Sequence, residues 1–189
     1  MTPRTLPKSE ADVSFPITGA DLYAMGNSDC AELVKGELHY MSPTGYLHGI
    51  VEVKIAKILS LFVEQHQLGQ VLAGEVGIYI QRNPDTIRAA DVLYISNERM
   101  AQIRSDSFLD VAPELIAEVM SPGDRWTDVA DKLDEYFAIG VQTVWIVDPR
   151  RRQVFLYTSP TEVRRFNDEQ KISGEKILPG FEAAVSELF

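Results

Sequence analysis

The sequence contains one cysteine, Cys30, so no disulfide can close within a single chain and no cysteine-rich zinc site can be built. A reducing compartment is the simplest setting for such a chain, and a cytoplasmic location is the expectation. The opening MTPRTLPKSEADVSFP has no apolar core of signal-peptide length, and no later stretch approaches eighteen uninterrupted apolar residues, so no membrane contact is expected. Positive charge is scarce: 18 Lys and Arg stand against 28 Asp and Glu, a net charge of −10. That is the wrong sign for gripping nucleic acid through a broad basic surface. Arg150, Arg151 and Arg152, followed by Arg164 and Arg165, could form a local basic stripe or simply a solvated turn and strand edge. Also missing are a glycine-rich phosphate loop, a nucleophile elbow and a zinc-binding histidine pair. His48 and Glu52 stand at i and i+4, a spacing shared by metal-ligating pairs and by the ordinary polar edge of an amphipathic helix.

What is present is ordinary globular material. With 189 residues, 45% apolar and 24% charged, the chain can bury one sizeable core. Residues 1–15, rich in proline and charge without periodicity, read as a loose arm, and 16–189 as a single domain. TGAD at 18–21 fits a capping box opening a short helix that Gly26 closes. AELVKGELHYM alternates on both sides of Lys35-Gly36, as an antiparallel hairpin does. Val51, Ile55, Ile58, Leu59 and Phe62 recur at helical spacing between Tyr46 and Gln67, with Gly69 as the expected stop. QVLAGEVGIYIQ, RAADVLYIS and PELIAEVM then read as three strands. GDRWTDVADKLDEYFAIG returns to helical spacing and ends at Gly140. TVWIVD and QVFLYT are strands joined by a turn, and a final helix is expected over EAAVSELF. The strand, helix, strand order from Leu115 to Val147 implies a right-handed crossover between parallel strands. The fold class expected is therefore α/β, a mixed sheet with helices against it.

Two of these strands carry a carboxylate among apolar residues: Asp91 in AADVLYI and Glu118 in LIAEVM. Burying an ionised carboxylate costs several kcal/mol unless something compensates the charge. Neighbouring strands lie about 4.8 Å apart, so side-by-side pairing would bring both carboxylates to one spot. Mg²⁺ suits such a pair, being commonly held by one or two carboxylates together with waters and substrate phosphate. The alternative is that Asp91 caps a turn and Glu118 meets an Arg or Lys. Lys132, at the flank of the apolar stripe of the helix after Glu118, could snorkel to water or reach back over the sheet toward the carboxylates.

Taken in order, ELVKGELHYMSPTGYLHG, RAADVLYIS, PELIAEVMSPGDR, DKLDEYFAIGVQTVWIVDP and RRQVFLY resemble the Uma2 family, formerly a domain of unknown function and assigned as endonucleases. The resemblance runs from about residue 18 to the C-terminus. It implies a restriction-endonuclease-like fold, a mixed central sheet flanked by helices that presents a PD-(D/E)XK motif. On that pattern Asp91 matches the motif aspartate, Glu118 the second acidic residue, Glu32 or Glu37 an early acidic residue, and Lys132 the lysine of the DK helix. The implied catalytic set is Asp91, Glu118 and Lys132, with Asp91 and Glu118 holding Mg²⁺ (Mn²⁺ as substitute) and His48 and Ser121 in supporting or substrate-binding places. Ala90 stands where the motif has proline, and Met120 where it has lysine, so the lysine would have to come from the helix. The implied activity is hydrolysis of a DNA phosphodiester, with a homodimer as the expected assembly. A relative without activity that binds a protein partner is the competing expectation, favoured by the acidic surface and by Met120.

Overall fold

The computed structural model describes residues 16–26, 31–174 and 176–189. The arm expected at 1–15 and Cys30 lie outside the described residues. Helix α1 (Gly19–Met25) begins with the capping box: Thr18 Oγ1 accepts from the Asp21 N–H at 3.2 Å, and the Thr18 N–H donates to Asp21 Oδ2 at 2.9 Å. Strands β1 (Ala31–Val34) and β2 (Glu37–Tyr40) form the antiparallel hairpin, with φ of 52° at Lys35 and 81° at Gly36. Positive φ at both central residues is the signature of the tight turn whose twist matches the flanking strands.

Helix α2 (Tyr46–His66) buries Val51, Ile55, Leu59 and Val63 at four-residue spacing. Its stop is Gln67 rather than Gly69. Gln67 takes the left-handed conformation and its N–H donates to the carbonyls of Val63 and Glu64, so the cap is already complete when Gly69 opens the next strand. Strands β3 (Gly69–Gln81), β4 (Thr86–Ser96) and β5 (Leu115–Val119) follow, with the short α3 (Asn97–Met100) after β4. Helix α4 (Trp126–Ile139) ends at Gly140, φ 101°, and carries the chain to β6 (Thr143–Asp148), which pairs parallel to β5 as the crossover requires. Strands β7 (Gln153–Tyr157) and β8 (Val163–Asn167) extend the sheet.

The sheet is mixed, in the order β2-β1-β4-β5-β6-β7-β8, with β3 also on β4. Strand β3 pairs along β4 from Thr86 to Ser96 and so takes the whole of one edge. Strands β1 and β5 must share the other edge, β1 at Ile87 and β5 at Val92–Tyr94. Between them the edge is open around Asp91.

One face of the sheet packs Leu115, Ala117, Val119 and Trp145 against α2, and the other packs Ile116, Val144 and Ile146 against Leu133 and Tyr136 of α4. Since side chains alternate along a strand, Glu118 shares the α4 face with Ile116. The C-terminus departs from the helix expected over EAAVSELF. Residues Leu178–Ala184 form β10, antiparallel to β9 (Lys171–Gly174), and only Val185–Leu188 turn as a 3₁₀ helix. Burial of Phe181, Ala183 and Val185 follows a period of two, and the ladder to β9 outweighs helix propensity here. Trp145 is fully buried, 6.1 Å from the Phe181 ring. Truncation of Trp145 to Ala should cost about 3–5 kcal/mol in urea unfolding, the range for emptying a large aromatic site.

Candidate active site

The register Val92↔Ala117, continued one residue, sets Asp91 of β4 opposite Glu118 of β5. Asp91 Oδ2 accepts the Val119 N–H at 2.7 Å and lies 3.2 Å from His48 Nε2, which α2 brings over the sheet. Glu118 Oε1 accepts the Tyr136 hydroxyl at 2.6 Å, and Glu118 Oε2 lies 3.3 Å from Lys132 Nζ. Lys132 and Tyr136 are four apart on α4, so one helix face reaches the carboxylate twice. Glu32 of β1 closes the group from the far side: Lys132 Nζ lies 3.1 Å from Glu32 Oε1, and the Ala89 N–H donates to the same oxygen at 3.1 Å.

Behind Glu32 stands Arg88, whose guanidinium donates to Glu32 Oε2 at 2.8 Å and grips Glu135 through Nε at 2.6 Å and a second nitrogen at 3.1 Å. Arg88, Glu135 and the hydroxyl of Tyr136 were not among the residues that the sequence pattern marked. Arg88 could have been found by the argument applied to Asp91, since it too is a charge inside an apolar strand.

Asp91, Glu118, Lys132, His48 and Ser121 all line one open cleft of about 1360 Å³. The cleft also meets Gly45, the N-cap of α2, and the loop that leads into α4. Neither helix has a side-chain cap; α2 begins with free N–H groups at this opening, whereas α4 carries Asp128 in its first turn. Glu32 lies at the base of the group, whereas Glu37 is exposed at the turn end of β2, opposite Val34, and outside the cleft lining. Of the two candidates for the early acidic residue, only Glu32 joins the site. The arginine run after β6 forms an exposed turn: the backbone N–H groups of Arg150 and Arg151 donate to Asp148, the Arg151 guanidinium lies 3.4 Å from Asp148 Oδ2, and Arg152 pairs with Asp168.

Burial pushes Glu118 up to about 7, Asp91 and Glu32 add to the rise, and Lys132 and the Tyr136 hydroxyl oppose it. Burial works against the charge of Lys132, but Glu118 and Glu32 outweigh it and raise its pKa. For Glu32, Lys132 and Arg88 overcome burial and hold the carboxyl below its ordinary value. The contact with Asp91 raises His48 despite its burial. Among the described residues no three His, Cys, Asp or Glu side chains form a ready-made metal cage. Two adjacent carboxylates, one of them resisting ionisation, are nevertheless hard oxygen donors of the kind Mg²⁺ takes while keeping waters. The donor chemistry fits.

The Uma2 family, described as "Putative restriction endonuclease", matches residues 20–186. The chain belongs to the Uma2 family. In three dimensions this Uma2 protein is similar to a solved structure from Anabaena variabilis ATCC 29413, titled as a "putative nuclease belonging to DUF820". The two share 17% identity and a TM-score of 0.76 over 92% of this chain and 98% of the other. That likeness establishes the fold, which is restriction-endonuclease-like, an α/β architecture with a mixed central sheet. No curated protein matches the chain.

Two outcomes are expected for the protein without metal. Glu118 has a folded pKa near 7 against an ordinary 4.5, so between these values the folded state keeps a proton the unfolded state has lost. The Glu118 contribution to stability is present below about 4.5 and declines as pH rises toward 7. The difference in melting temperature between wild type and Glu118→Gln, measured from pH 4.5 to 7.5, should move in favour of the variant as pH rises. Lys132→Met removes the cation from Glu118, while Glu32 keeps Arg88 and the Ala89 N–H, and should cost about 1–3 kcal/mol in denaturant unfolding at neutral pH.

Proposed function

We propose that this Uma2 protein is a Mg²⁺-dependent endonuclease that hydrolyses DNA phosphodiester bonds, and that residues 16–189 carry the activity as one cytoplasmic domain. The observation that supports this reading is the meeting of Asp91, Glu118 and Lys132 on one open cleft, from two strands and a helix. Asp91 and Glu118 would hold the metal, which when bound lowers the pKa of a coordinated water and neutralises phosphate charge. The Val119 N–H and His48 hold Asp91 in place. Tyr136 aims Glu118, and its neutral hydroxyl stabilises the ionised carboxylate. Lys132, fixed between Glu32 and Glu118, stands where a cation can stabilise charge on an attacking oxygen or on the phosphoryl group. It would thereby supply what Met120 cannot. Ser121, on the cleft wall after β5, is placed for substrate contact.

A second reading has an observation of its own. Both oxygens of Glu118 already have partners, Tyr136 and Lys132, and such pairing is also what an inactive, protein-binding relative would keep. The two readings part on metal. Calorimetric titration of Mn²⁺ into wild type, Asp91→Ala and Glu118→Ala, with folding followed by circular dichroism, should show binding that each substitution abolishes. Cleavage of a mixed pool of single-stranded and duplex DNA in Mg²⁺ should fall at least 100-fold in both variants and in Lys132→Met. Heat of binding unchanged by either alanine would transfer the carboxylates to a structural role.

A further inference from the structure

The cleft does not end at the carboxylates. Met41, Glu75 and Ala89 line it and also line a second groove of about 780 Å³, so the two adjoin across a shared wall. The second groove is walled by Leu22, Tyr23, Ile87 and Phe108. Tyr23 is 58% exposed, yet its ring is held by an edge contact to Phe108 at 5.7 Å. Phe108 in turn packs edge-on to Tyr79 at 5.9 Å and fills the space that a Cβ at Gly77 would need. The capped helix α1, with Leu22 in the core, fixes the backbone beneath Tyr23. Tyr40, 67% exposed, stands on the wall of the first cleft. Two accessible aromatic rings therefore flank the path that leads away from Asp91 and Glu118.

The charge along this path is negative. Glu75, Asp91, Glu118 and Asp124 line the main cleft, against Lys132 and the imidazole of His48, which is paired with Asp91. Duplex DNA is bound chiefly through phosphate neutralisation by Lys and Arg, which such walls do not offer. An unpaired strand has another source of affinity, because its bases can stack on aromatic side chains. We infer that the cleft and the adjoining groove take single-stranded DNA, with bases on Tyr23 and Tyr40 and the backbone passing the carboxylates. The inference rests on the nuclease reading above and specifies its substrate class.

The test is fluorescence anisotropy with a labelled 15-nucleotide mixed-sequence DNA, single-stranded or annealed to its complement, in Ca²⁺ at about 100 mM salt. The single strand should bind at least 10-fold more tightly than the duplex. Tyr23→Ala and Tyr40→Ala should each weaken single-strand binding by about 5- to 100-fold, the range for losing a stacked base. Tyr23→Phe and Tyr40→Phe keep the ring and should bind as wild type, which also guards against loss through misfolding. Duplex binding as tight as single-strand binding, or alanine variants that bind as wild type, would overturn the inference. Mn²⁺ titration of the same preparations separates the two levels. Binding of metal without binding of either DNA sinks the single-strand assignment alone, whereas loss of metal binding in wild type sinks the site itself.

Discussion

The position of Lys132 between Glu32 and Glu118 is the constraint around which the site is built. A lysine reaching over a sheet loses hydration, and each carboxylate beside it loses hydration as well. None of the three tolerates burial alone. Together with Arg88 and Glu135 they form an alternating chain of charge that runs from the β5 strand through α4 and β1 to β4. The chain has more carboxylates than cations at its cleft end once Asp91 is included. Burial first, and then that surplus, makes Glu118 resist ionisation, and the same surplus leaves the cluster room electrostatically for a divalent ion.

The topology makes this arrangement possible. Strand β4 has one edge filled by β3, and its other edge is divided between β1 and β5. Glu32 and Glu118 arrive from the two strands that share the divided edge, and Asp91 comes from the stretch between their pairings. A continuous ladder there would have spent the Val119 N–H on a strand partner, but it donates to the Asp91 carboxylate instead. The opening in the sheet and the gathering of acids are thus one feature. Helix α4, the crossover that makes β5 and β6 parallel, then supplies the cation and the phenol from consecutive turns of one face.

Much of this was legible from residue pattern. The hairpin about Lys35-Gly36, the capping box at Thr18, the run of α2, the central strands and the parallel crossover each depend on local signals that burial reinforces. Asp91 and Glu118 stood out because a charge in an apolar strand needs an explanation. The C-terminal segment was read as a helix because EAAVSELF has good helix formers, while its alternation at Phe181, Ala183 and Val185 gains meaning only beside β9. Gly69 was read as the stop of α2 since glycine is the usual left-handed cap, and nothing local shows that Gln67 bears that conformation. Glu32 and Glu37 could not be separated in sequence, because choosing between them requires the register of β1 on β4. Arg88 and Glu135 lie far apart in the chain, and only the fold joins them.

The net charge of −10 is the strongest objection to a nucleic-acid substrate, and its location bears on how much weight it carries. Electrostatic exclusion acts over about a Debye length, roughly 8–10 Å in ordinary salt, so the groups around the cleft matter more than the sum over the chain. Near the cleft, acid is concentrated where a divalent ion would sit, and each ion bound there would cancel two charges. The free N–H groups that begin α2 add positive potential at the same opening, since neither a capping side chain nor a first-turn acid neutralises that start. Of the arginines that might have made a basic face, Arg151 and Arg152 are paired with Asp148 and Asp168, at the end of β6 next to β5. A protein so charged has little means of holding a duplex non-specifically. Its affinity for a strand would have to come from the metal, the start of α2 and exposed aromatic rings, which gather at the cleft and the groove beside it.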